Sequence, residues 1–366
     1  MFKLFSKKNP GTKEASDRYQ QLKINEVRKE TDDTNTLVFE TEGTEMTYLP
    51  GQFLTLIIPI DGKEVRRSYS LSSSPYTQED PAITIKRVDA GVVSNYVNDH
   101  MSVGDVFKVM APAGHFTPEL DPQNTKQYVL FAAGSGITPI MSILKSILIK
   151  EPNSHVTLIY QSRNENSIIF KDVLSDLAQQ YENRLRLMHI LSQPSGAWSG
   201  MKGRITAQAV KEMLDEAEVN DIRTTEIFLC GPTGFMEIVN ETLTTLNVPD
   251  KQIHKESFYS GDAKDTKKQQ TKKSGESTVV NIVLDGETFE VPVPEGRTIL
   301  EAALDQDIDM PFSCQSGLCT ACRGKLLSGE VEMDNDDGLS EDEIKDGYVL
   351  NCVGHPQGTG VKIEIG

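Results

Sequence analysis

The chain has 366 residues, enough for two or three domains, and its 37% apolar and 25% charged composition excludes wholesale disorder. A net charge of −17, from 37 basic and 54 acidic side chains, argues against nucleic acid or an anionic membrane surface as the main partner. No apolar run approaches the ~18 residues of a membrane span, so an integral membrane protein is not expected. The opening MFKLFSKKNP has no apolar core of the kind a secretory signal needs. A cytoplasmic setting follows, where the five cysteines read as metal or redox chemistry before they read as disulfides.

In chain order, residues 1–18 read as a mobile tail. Residues 19–122 hold short β-rich runs (TNTLVFE, GQFLTLIIPI, AITIKRV and DVFKVMAP) broken by Gly, Pro and Asp turns, the pattern of an antiparallel sandwich or barrel. From 123 to 259 the pattern changes. QYVLFAAG reads as a buried strand, and PIMSILKSILIK as a helix with Thr138 at its N-cap and Pro139 at its first position. Further strands VTLIY, RLRLMHI and EIFLC alternate with helices near 171–182, 206–217 and 235–246, which predicts a doubly wound parallel α/β sheet. Residues 260–277, SGDAKDTKKQQTKKSGES, read as a Lys-rich flexible linker. Residues 278–366 are a separate acidic domain, with 18 acidic against 5 basic side chains.

That last domain carries the strongest chemistry. Cys314-x4-Cys319-x2-Cys322, followed by Cys352, supplies four thiolates at the spacing of a plant-type 2Fe-2S cluster. Gly317 and Gly324 suit a loop that wraps tightly and aims backbone N–H groups at sulfur. Structural zinc is the alternative, although it usually draws on two short Cys pairs and only one is present. Residues 278–366 resemble plant-type ferredoxins, which implies a β-grasp-like α+β fold and an acidic face for basic partners.

In the β-rich region, RRSYSLSSSP contains Arg67, Tyr69 and Ser70, and GVVSNYV contains Gly91, Val92, Val93 and Ser94. A cation for a diphosphate, a flat ring and a small hydroxyl are what a flavin site needs, and a Gly turn opening a helix offers N–H groups to phosphate. Further on, Gly134-Ser135-Gly136-Ile137-Thr138-Pro139 joins a strand to a helix, a phosphate-binding placement despite Pro139 at the third Gly position of the dinucleotide fingerprint. Cys230-Gly231-Pro232 ends a later strand, at the sheet edge where ligands bind in α/β folds. Ser162 and Arg163 end strand VTLIY where an NAD site would carry an acidic residue, so together with Arg204 they lean toward NADPH.

These motifs together resemble the ferredoxin–NADP reductase superfamily. The resemblance implies a six-stranded antiparallel barrel holding FAD, with Arg67 on its phosphates, Tyr69 stacked on the flavin, Ser70 at N5 and residues 91–94 on the pyrophosphate. It implies nicotinamide binding at Gly134, Ser135, Gly136 and Thr138, with Cys230, Gly231 and Pro232 beside the ring. HKESFYS resembles the family's domain ending, which brings Glu256 and Phe258 toward the flavin. Catalytic parts fall to Ser70, Cys230 and Glu256. The order of domains resembles the reductase subunits of phenylacetyl-CoA epoxidases and related oxygenase reductases. That order implies electrons passing from NADPH (or NADH) to FAD, to 2Fe-2S, and on to a partner oxygenase or other redox protein. A fatty-acyl desaturase, a Rieske oxygenase or a hybrid-cluster protein are alternative acceptors, and a non-turnover redox sensor is the rival of a different class.

Overall fold

The structure is a computed structural model and describes residues 19–40, 46–219, 221–258, 277–315, 317, 319–336 and 338–365. The expected tail at 1–18 and nearly all of the expected linker at 260–277 lie outside them. The described residues divide into two compact units, one holding 21–108 and the described part of 112–258, the other holding the C-terminal domain with 19–20 and 109–111.

Six strands form the first sheet: β1 (Tyr19–Thr31), β2 (Thr34–Phe39), β3 (Phe53–Ile60), β4 (Lys63–Ser70), β5 (Ala82–Lys86) and β6 (Val106–Met110). Their order is β4-β3-β6-β1-β2-β5. The outer strands meet through an antiparallel bridge between Leu71 and Ile83, and the Ser72 N–H donates to the Ala82 carbonyl at 2.8 Å. The sheet therefore closes as a barrel, which removes its edges. Asp61 and Gly62, both at positive φ (51° and 75°), make the two-residue turn between β3 and β4. Helix α1 (Val92–His100) follows β5.

The parallel sheet holds β7 (Gln127–Ala133), β8 (His155–Ser162), β9 (Leu185–Leu191), β10 (Met201–Lys202), β11 (Glu226–Gly231) and β12 (Ile253–Ser257). They lie in the order β10-β9-β8-β7-β11-β12. Helices α2 (Ile137–Lys150), α3 (Lys171–Gln180), α4 (Ala207–Glu216) and α5 (Thr233–Thr245) alternate with the strands. Both faces are covered. Tyr128, Leu130 and Ala132 of β7 join one core, and Val129, Phe131 and Ala133 join the other. Chain order reverses between β7 and β11, which makes the crevice at their C-terminal ends the switch point of the fold.

One expectation is corrected here. Helix α2 begins at Ile137 with Gly136 as its N-cap, not with Thr138 capping Pro139. A 3-10 turn over Gly134–Gly136 runs directly into the helix, and the Thr138 hydroxyl donates back to the Ser135 carbonyl at 3.0 Å. Pro139 still falls in the first turn, where its missing N–H costs no helical bond.

The C-terminal domain has a five-stranded mixed sheet of β13 (Thr278–Leu284), β14 (Glu287–Val293), β15 (Arg323–Met333), β16 (Tyr348–Leu350) and β17 (Gly354–Ile365). The order is β14-β13-β17-β15-β16, with β13 and β17 parallel. Helix α6 (Ile299–Leu304) packs its Ile299, Leu300, Ala302 and Ala303 into the core, and Thr298 with Glu301 caps it reciprocally. A short helix α7 (Glu341–Lys345) precedes β16. No helix among the described residues is long and apolar enough to cross a membrane.

A buried carboxylate fixes the segment between barrel and parallel sheet. Glu151, fully buried after α2, accepts from Asn124 Nδ2 (2.6 Å), Ser154 Oγ (2.7 Å), the Asp121 N–H (3.1 Å) and Tyr128 Oη (3.0 Å). Burial, then the Glu151 charge, pushes the Tyr128 hydroxyl up. Glu151→Ala strands these donors and should destabilise the parallel domain by about 3 kcal/mol, read by urea unfolding; a loss below ~1 kcal/mol would contradict this role.

Candidate functional site

Strand β4 carries Arg67 and Tyr69, two residues apart and therefore on one face, opposite Leu56 and Leu54 of β3. Burial pushes the Tyr69 hydroxyl up while Arg67 pulls it down. Arg67 Nη1 donates to the Arg66 carbonyl at 2.9 Å. The serines after it differ in their commitments. Ser72 Oγ pairs with Thr84 Oγ1 (2.9 Å), Ser73 Oγ with Tyr48 Oη (2.7 Å) and Ser74 Oγ with Ser146 Oγ (2.8 Å). Ser70 is buried, and among the described residues its hydroxyl has no hydrogen bond. It is the one hydroxyl of the run left for a ligand.

Gly91 caps α1 without any side-chain hydrogen bond, so the first-turn N–H groups stay open toward an anion. A Cβ there would lie 2.7 Å from Ser94 Oγ. The Ser94 hydroxyl itself accepts from the Val88 N–H at 3.1 Å, so it braces the turn. Val92 is exposed, whereas Val93 and Ser94 are buried. An open helix terminus, a flat ring and an unused hydroxyl fit FAD.

At the switch point two strand ends touch. A Cβ on Gly136 would sit 2.3 Å from the Cys230 carbonyl oxygen, and one on Gly231 would sit 2.9 Å from Ala133 Cβ. Gly134 has φ +55° and open space where a side chain would stand. Cys230 is fully buried, and burial first and the Glu256 charge second push its thiol up. Glu256 pairs in register with Cys230 across β11 and β12. Pro232 caps α5, and Phe258, just past β12, is 36% exposed.

The far end of this crevice is cationic. Ser162 is buried at the end of β8, and Arg163 and Arg204 are exposed. The Ile205 N–H donates to Gln161 Oε1 at 2.6 Å, which holds the Arg204 segment beside the end of β8. Among the described arginines, only Arg163 and Arg204 have guanidinium groups with no hydrogen bond or ion pair.

Sequence reasoning passed over the supports. Tyr160 Oη donates to the Gly134 carbonyl at 3.1 Å and accepts from the Ile169 N–H at 3.3 Å, holding the Gly turn from below. Ser142 and Ser146 lie on the buried face of α2; two hydroxyls spaced i, i+4 in an apolar helix were the available signal.

In the C-terminal domain the four cysteines form one linked set. Cys314 hydrogen-bonds to Cys319 and Cys352, and Cys322 hydrogen-bonds to Cys352. The Cys314 contact, then burial, pushes the Cys319 thiol up; Cys314 and Cys322 push Cys352 up. As thiolates they would repel, and a cationic iron core relieves that repulsion. Among the described residues, no group of three or more His, Cys, Asp or Glu side chains is gathered for a single metal ion. Four sulfurs linked through Cys314–Cys319, Cys314–Cys352 and Cys322–Cys352 suit a binuclear cluster, which takes two cysteines per iron. Gly317, at φ +75°, passes so near residue 335 that a Cβ would lie 2.7 Å from its carbonyl oxygen. Asn351 Nδ2 donates to the Cys322 carbonyl at 2.8 Å and ties two ligand segments together.

Comparison with known proteins agrees with this geometry. A family described as an oxidoreductase FAD-binding domain matches residues 21–117, an oxidoreductase NAD-binding domain matches 130–241, and a 2Fe-2S iron-sulfur cluster binding domain matches 282–357. The ferredoxin reductase component of a Rhodococcus rhodochrous 3-ketosteroid-9-alpha-monooxygenase is 37% identical, covering 94% of this chain and 96% of that one. One subunit of the Escherichia coli (strain K12) 1,2-phenylacetyl-CoA epoxidase is 33% identical, covering 95% and 98%. Among solved structures, phthalate dioxygenase reductase superposes with a TM-score of 0.60 at 25% identity, covering 96% of this chain and 99% of that chain. The chain belongs to the ferredoxin–NADP reductase superfamily, in the branch with a C-terminal 2Fe-2S ferredoxin domain, and is an NAD(P)H-dependent flavin and iron–sulfur oxidoreductase.

Proposed function

We propose that this chain is the reductase component of an oxygenase, drawing electrons from NADPH through FAD and a 2Fe-2S cluster to a phenylacetyl-CoA epoxidase-type di-iron partner. The NADPH part rests on one observation, the pair of unpartnered arginines at the end of β8. An arginine satisfied by carboxylates needs no ligand; two exposed ones without partners suit the 2′-phosphate. The partner reading is supported by likeness to the phenylacetyl-CoA epoxidase protein over nearly the whole of both chains. The 37% identity to 3-ketosteroid-9-alpha-monooxygenase reductases favours a second reading, a steroid oxygenase as acceptor.

In this reading Arg67 and the N–H groups of residues 91–94 hold the FAD diphosphate, Tyr69 covers the ring and Ser70 donates to N5. Gly134, Ser135, Gly136 and Thr138 form the nicotinamide-side turn. Cys230, Gly231 and Pro232 line the ring's pocket, with Glu256 and Phe258 closing it beside the flavin. Ser162, Arg163 and Arg204 take the adenosine end. Cys314, Cys319, Cys322 and Cys352 ligate the cluster. Bound FAD supplies the step between a two-electron hydride donor and a one-electron iron–sulfur acceptor. Cysteines held as cluster ligands rather than as disulfides suit the reducing cytoplasm.

Arg163→Ala with Arg204→Ala should lower kcat/KM for NADPH by roughly tenfold or more, as expected for ~1.5–3 kcal/mol per charged hydrogen bond, and leave NADH nearly unchanged. Equal or better kcat/KM with NADH in the unaltered protein would overturn the NADPH reading. Cys319→Ser should abolish the EPR signal of the NADPH-reduced cluster while flavin reduction persists. Substrate-dependent NADPH oxidation with each purified oxygenase distinguishes the two partners.

A further inference from the structure

Helix α2 joins the two halves of the redox site. Its N-terminus is the Gly134–Gly136 turn, and one and a half turns later it is bolted to the barrel. Ser142 Oγ donates to the Ser73 carbonyl at 2.6 Å, and Ser146 Oγ meets Ser74 Oγ at 2.8 Å while donating to the Ser142 carbonyl at 2.7 Å. Lys145 Nζ, between them, binds Glu79 at 2.8 and 3.0 Å. Glu79 in turn accepts from the Ser74 N–H at 2.8 Å. The loop so gripped, residues 71–79, continues directly from β4, which carries Arg67, Tyr69 and Ser70.

Ser73, Ser74, Ser142 and Ser146 are all at most 1% exposed. Small side chains let the helix axis approach the loop, and the hydroxyls of Ser74, Ser142 and Ser146 find partners across the seam, whereas that of Ser73 pairs with Tyr48 inside the barrel. The seam is polar and specific, with its hydroxyls buried between α2 and the loop. A slip of α2 along this loop would break the Ser142–Ser73, Ser146–Ser74 and Lys145–Glu79 contacts at once.

We propose, resting on the cofactor placement of the proposed function, that Ser142 and Ser146, supported by Lys145 and Glu79, are positioning residues for hydride transfer: they set the offset between the nicotinamide turn and the flavin strand. In that step the C4–H bond of the nicotinamide breaks and an N5–H bond forms on the flavin. The nicotinamide loses two electrons and the flavin gains them. Rates of this kind fall ~100-fold for a misplacement of about 1 Å, so a seam that fixes the offset acts on the limiting rate and not on nucleotide affinity.

The test is anaerobic rapid mixing of the full chain, FAD- and cluster-loaded, with NADPH and with NADH. Ser142→Ala with Ser146→Ala should lower the limiting rate of flavin reduction by about tenfold or more with both nucleotides. The half-saturating nucleotide concentration and the FAD content should stay within twofold. Electron passage from photoreduced flavin to the cluster, which does not use the nicotinamide, should also be unchanged. A double-mutant cycle of Ser74→Ala and Ser146→Ala should be non-additive in the limiting rate. A limiting rate within twofold of the unaltered protein, or an equal loss in photoreduced transfer, would overturn the proposal. If the double variant fails to retain FAD, Ser146→Ala alone and Lys145→Gln are judged by the same rates, since both leave the Ser142 bond in place.

Discussion

The constraint on which the site depends is a contact without room for a single methyl group. Where β7 and β11 end, the backbone at Gly136 and the Cys230 carbonyl are so close that a Cβ would fall 2.3 Å away. The parallel sheet brings the two strand ends together, and glycine lets the helix turn settle on the neighbouring strand. Gly51 does the same in the barrel: at φ +91° its missing Cβ would sit 2.0 Å from the Phe116 carbonyl oxygen. Phe116 then packs edge-on against Phe228 of β11, with ring centroids 5.3 Å apart. Two backbone approaches that only glycine permits thus lie on either side of one aromatic contact.

Much of this was legible in the sequence, for reasons that differ by element. The parallel strands are buried on both faces, and continuous runs such as QYVLFAA announce themselves without periodicity. Strand β1 did not, because YQQLKINEVRKET buries few of its positions and shows a charged face to solvent. Strand β4 carries four charges in its first five residues, so its chemistry is easier to read than its shape. At the start of α2 Thr138 and Pro139 mimic a cap, while the actual boundary is a glycine 3-10 turn packed against β11. A contact 94 residues away along the chain leaves no local mark.

The site residues divide in the same way. Cys314, Cys319, Cys322 and Cys352 are readable because ligand spacing is a property of the chain itself. The special status of Ser70 is not. Only the folded barrel shows that Ser72, Ser73 and Ser74 are already spent on Thr84, Tyr48 and Ser146. Likewise a sequence shows two arginines, but only the ion-pair pattern of the whole fold distinguishes Arg163 and Arg204 from those bound to Glu26, Glu64, Asp99 or Asp221.

Those two cations have a consequence for how the nucleotide arrives. In the proposed NADPH reading a polyanionic dinucleotide approaches a chain of net charge −17 but docks on two guanidinium groups beside the end of β8. Salt acts on the two fields unequally. As the screening length shrinks from ~30 Å at 0.01 M to ~10 Å at 0.1 M, the distant repulsion fades first while the local attraction persists. In that reading association quickens with added salt at low ionic strength and slows at high.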